Sequence, residues 1–239
     1  MLCRIADLYV DIPEAGGMAP RCTDYLCQAE QSADIVILAE RYRPHFWPGL
    51  CEEDVAYLDS GIQFYRQLLD FDGLMLHASA VELDGRAYLF SGPCGMGKST
   101  HTRLWQEVFG SRAQVFNDDK PALRRIDGRW YAYGTPWCGK DGINQNKKVP
   151  LAGICFLKRG QKNEIRRLSN KEAVSSIIWQ TTNRFYKPER MDVMFGNVDR
   201  LVREIPVFEL KNLPEQAAAR LSYETMSRAA AETGCMEDR

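Results

Sequence analysis

No apolar run in this chain approaches the roughly 20 residues that a membrane span requires. The opening stretch MLCRIADLYVDIPEAG carries acidic side chains where a secretory leader would be apolar. Charge of one sign is missing too: the formal net charge is −1, which offers neither a basic field for nucleic acid nor an acidic solvating tail. Eight cysteines are present, yet there is no CxxC pair and no histidine at zinc-like spacing beside them. Internal repeats and low-complexity linkers are absent as well. These absences point to a soluble, cytoplasmic protein with free thiols and with neither nucleic acid nor a membrane as partner. Its 239 residues, 45% of them hydrophobic, are enough to bury a full core.

Residues 1–70 read as a β-rich N-terminal region followed by a helix, and 71–239 as the main unit, the two forming one compact body. CRIADLYVDI and ADIVILAERY are strand-like and are separated by a Pro/Gly loop. From Glu52 to Leu69, Val55, Leu58, Ile62, Tyr65 and Leu69 recur at helical spacing. Asp84-Gly85 divides two strand-like runs, Leu74 to Leu83 and Arg86 to Phe90, and Asp-Gly favours a tight hairpin turn. The strand entering the next loop is therefore antiparallel to its predecessor, unlike the phosphate-loop strand of a doubly wound sheet. Asp127-Gly128 predicts a second hairpin. Beyond Pro150 come a strand LAGICFL, a charged turn, a helix from Asn170 to about Arg184, a helix NVDRLVREI, a strand PVFEL and a helix from Pro214 to about Glu232.

The most informative stretch is Gly92-Pro93-Cys94-Gly95-Met96-Gly97-Lys98-Ser99, which fits the phosphate-binding pattern G-x-x-x-x-G-K-[ST] between a strand and a helix. Glycines let successive backbone N–H groups turn inward as an anion nest, and the following helix aims its N-terminal dipole at the same phosphates. Leu104, Trp105, Val108 and Phe109 form the buried stripe of that helix, and Gly110 ends it. The binding set is Gly92, Cys94, Gly95, Met96, Gly97, Lys98, Ser99 and Thr100. Lys98 serves the β- and γ-phosphates, and Ser99 offers a hydroxyl to Mg²⁺.

In QVFNDDKPAL, Val115 and Phe116 close a short strand, and Asp118 and Asp119 stand at its C-terminal tip, where a metal-binding carboxylate belongs. One carboxylate can hold Mg²⁺ while the other takes a proton from an attacking hydroxyl, and either fits either role. The same NDDKP suits a plain turn.

LHASAV, LFSGPCGMGKST and FNDDKPALR, in this order, resemble the bacterial HPr kinase/phosphorylase family and its phosphoenolpyruvate-carboxykinase-like relatives, over about residues 74 to 160. The resemblance implies an α/β fold of α+β character with a mixed, partly antiparallel sheet, ATP with Mg²⁺, and phosphoryl transfer to a serine hydroxyl. It places Lys98 and Ser99 at the phosphate and metal positions, Asp118 and Asp119 at the acidic pair that includes the base, and His77 on a strand near the site. The chain departs from that family in Pro93-Cys94, in lacking the family's extra N-terminal domain, and in showing no downstream Arg-Gly-Arg-Asn signature; HPr itself is thus not the expected acceptor.

Lys140, in the loop YGTPWCGKDGINQNKKVPL with Asn144 and Asn146, is a further candidate for steadying transition-state charge. Thr102, in the first turn of the loop helix, is a candidate nucleotide contact. Cys94 and Cys138 lie in glycine-containing loops beside these residues, and Arg184, Lys187 and Arg190 belong to a polar segment suited to covering an acceptor. The expectation is a phosphotransferase acting on a peptide, a protein serine or a small-molecule acceptor. The alternatives are a nucleotide-binding module without transfer and a small carboxykinase-like enzyme acting on a carboxylate. Self-association is left open.

Overall fold

The computed structural model describes residues 1–14, 17–29, 31–181 and 188–237. A small sheet comes first. β1 (Leu2–Ile5) and β2 (Leu8–Asp11) form a hairpin, and β3 (Ile35–Val36) joins β2 in parallel. α1 (Met18–Arg21) and α2 (Glu52–Leu68) pack on it. Val55, Ile62, Tyr65 and Leu68 are the buried face of α2, while Leu58 stays half-exposed. Phe64 of the same helix stacks on the buried Trp137 at a ring-centroid distance of 4.6 Å. The small sheet is tied to the rest by Asp7, which accepts hydrogen bonds from Tyr133 and Lys148 at 2.8 Å each.

Among the described residues the main sheet has nine strands: β4 (Gly73–Met75), β5 (Ala78–Leu83), β6 (Arg86–Ser91), β7 (Ala113–Asp119), β8 (Ala122–Ile126), β9 (Arg129–Tyr133), β10 (Lys148–Arg159), β11 (Glu164–Arg167) and β12 (Val207–Asn212). Their order is β4-β8-β9-β10-β6-β5-β7, with β12 beside β10 and β11 beside β12. β10 is long enough to serve two neighbourhoods. Its first residues pair antiparallel with β9, and its remainder runs parallel to β6 and β12. The fold is thus α/β with a mixed, partly antiparallel sheet, as expected. Both Asp-Gly turns form with two successive positive φ values, 52° and 75° at Asp84-Gly85 and 49° and 81° at Asp127-Gly128, the geometry that suits right-twisted hairpins.

Side-chain alternation assigns the two faces. Ala78, Ala80, Ala87, Leu89 and Ile154 join the core under α4 (Asn170–Gln180) and α5 (Pro188–Glu204). Val81, Leu83, Tyr88, Phe90 and Cys155 join the core under α3 (Lys98–Phe109) and α6 (Gln216–Glu237). Helices therefore cover both sides of the strands that end at the glycine loop.

Four expectations are corrected. The run Leu74 to Leu83 is two strands, because β4 pairs with β8 while β5 pairs with β6 and β7. His77 consequently lies in the link between them rather than on a strand. α4 ends at Gln180, and α5 begins at Pro188, well before NVDRLVREI. The charged turn after β10 leads into β11, whose sparse apolar pattern (EIRR) hides a largely exposed strand that pairs with β12. Arg184 and Lys187 lie outside the described residues. Among the described residues, no helix is long and apolar enough to cross a membrane.

Candidate active site

β6 ends at Ser91, the glycine loop spans residues 92–97, and α3 begins at Lys98. Gly95 and Gly97 take φ of 76° and 93°, a region that L side chains rarely adopt, and a Cβ at either would project into open space. That is the form of a cradle that glycine keeps clear for a ligand approaching the main chain. Met96 turns its side chain to the core beneath α3, so it offers the cradle only its backbone, whereas Cys94 and Thr100 are exposed and Ser99 is half-buried at the mouth. Lys98 is almost covered, and its Nζ donates to Gly92 O at 3.0 Å and Pro93 O at 3.4 Å. Burial lowers its pKa, opposed by the charges of Asp119, Cys94 and Asp118. Both carboxylates therefore stand within electrostatic reach of the loop lysine.

A β-bulge sets where those carboxylates point. In β7, Val115 pairs with Val81 but Asn117 pairs with Ala80, so Phe116 is the extra residue. From there Asp118 faces Ser79 across the ladder and Asp119 faces Ala78. Cross-strand partners share a face, and Ser79 Oγ bonds Thr102 Oγ1 of α3 at 2.9 Å. Without the bulge Asn117 would take that place; with it, Asp118 lies on the side of the sheet where α3 starts. Asp118 is buried, and its carboxylate has no hydrogen-bond or ion-pair partner among the described residues. Thr102, a candidate nucleotide contact in the sequence, is instead buried with its hydroxyl on Ser79, so it locks α3 to β5.

Asp119 is different. It has φ of 112°, outside the extended range of its strand, and strain of this kind persists only where surrounding contacts over-determine it. Its Oδ1 lies 3.0 Å from His77 Nε2 and its Oδ2 2.6 Å from Lys120 Nζ. Burial alone would raise the Asp119 pKa, but the His77 hydrogen bond and the Lys120 charge overcome it and hold the carboxyl well below its usual range. Burial would likewise lower Lys120, yet Tyr57 and Asp119 raise it. Lys120 Nζ also donates to Tyr57 Oη at 2.7 Å, and Tyr57 Oη donates to Cys138 O at 2.8 Å. His77 is fastened on its other side: its Nδ1 lies 3.1 Å from Gln180 Oε1 and its backbone N–H donates to Gln180 O at 2.8 Å.

The 134–147 loop lies along the free edge of β7. Gln145 N donates to Phe116 O at 2.8 Å, Asp118 N to Ile143 O at 3.1 Å, and Gly139 N to Asp118 O. Cys138 is buried, and Arg21 Nη1 and Asn144 Nδ2 donate to its Sγ at 3.4 and 3.1 Å. Lys140 of this loop is exposed, and Asn146 is drawn away to Arg4 O and Asp24 O. Neither Arg124 nor Arg125 reaches the loop glycines: the first donates to Phe71 O and Ala6 O, the second pairs with Glu204. Arg190 pairs with Asp70 on another face.

Asp119, His77 and Lys120 form one wall of a pocket of about 290 Å³, whose other walls include Tyr57, Ile62 and Trp179. Trp179 is 80% exposed at its rim. The structure thus brings Asp119 and His77 into contact, sets Lys98 within electrostatic reach of both aspartates, and leaves Lys140 in solvent. Lys120, Tyr57 and Gln180 were not singled out from sequence. Lys120 carried a signal, its place directly after the aspartate pair; Tyr57 and Gln180 carried none, being brought in by α2 and α4.

The residues present suit a magnesium nucleotide. Among the described residues no cluster of three or more His, Cys, Asp or Glu side chains forms a cage for a metal, and Mg²⁺ is commonly held by one or two carboxylates together with substrate phosphates rather than by a cage. Asp118, buried and unpartnered beside an open glycine cradle, supplies such a carboxylate.

A family model described as "ScmC: SynChlorMet cassette protein ScmC" matches residues 54–215. No curated protein matches the chain. Among solved structures, the HPr(Ser) kinase/phosphatase from Coxiella burnetii aligns with a TM-score of 0.38 and 14% identity, over 69% of this chain and 94% of that one. A likeness that weak carries no argument about this chain.

Proposed function

The chain belongs to the ScmC family of SynChlorMet cassette proteins, and from the site that the matched region contains we propose that it is an ATP- and Mg²⁺-dependent kinase that phosphorylates a hydroxyl, most simply a serine of a peptide or protein. The observation that carries this reading is the bulge at Phe116, which puts Asp118 rather than Asn117 opposite Ser79 on the α3 side of the sheet, while Asp119 lines the pocket.

The division of labour follows from their surroundings. Asp118, without an ion-pair partner of its own, is the residue that would hold Mg²⁺, and the Ser99 hydroxyl of the loop helix is the second candidate ligand; when bound, the ion would neutralise charge on the phosphate oxygens. Lys98 moves its ammonium from the Gly92 and Pro93 carbonyls to the phosphates, and the amides around Gly95 and Gly97 bind oxygens. Asp119, gripped by His77 and Lys120, is a weak base but a fixed one. It accepts the hydrogen bond of the acceptor hydroxyl and aims its oxygen along the line of displacement. That suffices for a loose phosphoryl-transfer transition state, in which bond breaking runs ahead of proton removal. The bond from the γ-phosphorus to the ADP oxygen breaks, the bond to the acceptor oxygen forms, and the hydroxyl proton leaves through Asp119. Among the described residues no arginine lines the pocket beside Asp119.

Incubation with γ-labelled ATP, Mg²⁺ and a library of serine peptides tests the proposal. Label transfer is expected, and Lys98→Ala, Asp118→Asn and Asp119→Asn are each expected to reduce it by about 10² or more. Undiminished transfer in all three variants would overturn the assignment.

A further inference from the structure

The stripe of α2 that packs on the core continues into the pocket at Asp119. Tyr57, Leu58, Gly61, Ile62 and Tyr65 line that pocket, and their spacing places them on one face of the helix. Ile62 and Tyr65 are buried, but Leu58, whose place in the same stripe calls for burial, is half-exposed. Trp179 stands exposed at the rim of the same pocket. The core does not require it there. Ala173 and Ile177 are the buried residues of α4, and two positions beyond Ile177 is a turn of about 200° around the helix axis.

The backbone beside Trp179 is nevertheless pinned. Gln180 O accepts from the His77 backbone N–H at 2.8 Å, Gln180 Oε1 lies 3.1 Å from His77 Nδ1, and Thr181 Oγ1 donates to Met75 O at 2.7 Å. The end of α4 is thereby stitched to the link that carries His77, and His77 grips Asp119. At about 290 Å³ the pocket is at the small end of ligand sites, with room for one or two side chains. Among its described lining residues the only carboxylate and the only ammonium, Asp119 and Lys120, are paired with each other. A basic side chain entering the pocket would meet the Lys120 ammonium, and an acidic one the Asp119 carboxylate, each without a free partner to offset the burial of its charge. An apolar side chain meets no such cost.

We infer that the acceptor is a peptide recognised through an aromatic side chain near its hydroxyl residue, and that Trp179 is the specificity-determining residue that contacts this side chain, together with Leu58 and Ile62. Trp47, Tyr57, Tyr65 and Trp179 all line the pocket, and contact between rings adds to what burial of area alone supplies, which favours an aromatic anchor over an aliphatic one. In an extended chain, side chains two positions apart share a face and stand about 7 Å from each other. The anchor therefore lies two positions from the hydroxyl residue at Asp119. This inference rests on the kinase reading for the word acceptor; the recognition itself rests on the shape and apolar walls of the pocket.

The test uses the full chain and peptides that share one serine and carry fluorescein on a polar spacer. The reference peptide has phenylalanine two positions before and two after the serine; variants carry Leu, Ala or Lys at both places. Anisotropy is read without nucleotide, and label transfer from γ-labelled ATP is read separately. The Phe peptide is expected to bind about tenfold tighter than the Ala peptide, with Leu between them, and the gap should persist as salt rises. Trp179→Ala is expected to weaken the Phe peptide about fivefold more than the Ala peptide, and Trp179→Phe to restore most of that difference. The residue is exposed, so both variants are expected to fold. Equal binding of the Phe and Ala peptides, equal losses for the two in Trp179→Ala, or tightest binding of the Lys peptide would overturn the inference. So would sedimentation of the wild type as a dimer and of Trp179→Ala as a monomer, which would seat a second copy of the chain on the rim. Transfer to the Ala peptide as readily as to the Phe peptide would also overturn it while leaving the kinase reading standing. Trp179-dependent binding of the Phe peptide without transfer to any peptide would instead support the recognition and sink the kinase reading.

Discussion

His101 meets opposite conditions at its two nitrogens. Nε2 lies 3.1 Å from Ser222 Oγ, while Nδ1 is buried with no partner among the described residues. Burial pushes its pKa from 6.5 to about 4. The fold holds the neutral ring, so the stability this residue lends is full above about pH 6.5 and is lost as pH falls towards 4; at about 1.4 kcal/mol per unit that is roughly 3 kcal/mol. Urea midpoints at pH 7 and pH 4.5 are expected to differ less in His101→Gln than in the wild type. Asp119 titrates lower down. Its depressed carboxyl stabilises the fold above the ordinary carboxylate range, about pH 3.9, and that stabilisation is lost as pH falls further. Asp119→Asn leaves the Lys120 ammonium without its carboxylate and is expected to cost about 2 kcal/mol at pH 7. The deficit against the wild type should narrow below pH 4; a constant deficit would mean that the ion pair is not its source.

At the scale of elements, two glycines separate conformation from space. Gly85 has φ of 75° with nothing near its missing side chain, so Gly85→Ala strains the hairpin turn alone, by about 1 kcal/mol. At Gly134 a Cβ would fall 1.8 Å from Gln145 O, and Gln145 is one of the residues that clamp the edge of β7. Gly134→Ala must therefore push the clamp off the aspartate strand, at a cost of about 3 kcal/mol, and on the proposed kinase reading it is expected to lower transfer as well. Denaturant unfolding of both variants should rank them in that order. The Asp-Gly hairpins were readable because their turns are local chemistry. The bulge was not: VFNDD is an ordinary strand tip until the pairing with β5 shows that one residue is extra. His77 was misassigned to a strand for a similar reason, since LMLHASAV is uniformly apolar around it and only the pairing of β4 with β8 reveals the break.

At the scale of the whole molecule, a ligand that binds the folded chain raises its melting temperature by mass action. At a hundred times its dissociation constant Mg-ATP is expected to stabilise the protein by about 2.7 kcal/mol, and at this chain length that is roughly 5–10 °C. Lys98→Ala should abolish the shift in a thermal melt, and a shift that persists would place the nucleotide elsewhere. The glycine loop and its helix were legible in the sequence because glycine spacing, lysine and the following helix are contiguous, so no long-range contact is needed to assemble them. The surroundings of Asp119 were not. Tyr57, Lys120, Cys138 and Gln180 are joined around Asp119 by hydrogen bonds from four separate parts of the chain.

Short-range chemistry, then, was enough to determine the glycine loop, its helix, both tight turns and the presence of a paired carboxylate. Tertiary structure alone decided which carboxylate shares the face that packs under α3 and which lines the pocket. The physical reason is that a strand's facing depends on its pairing register, and a pocket's walls on which helix packs against which strand. Both are properties of contacts between residues far apart in the chain.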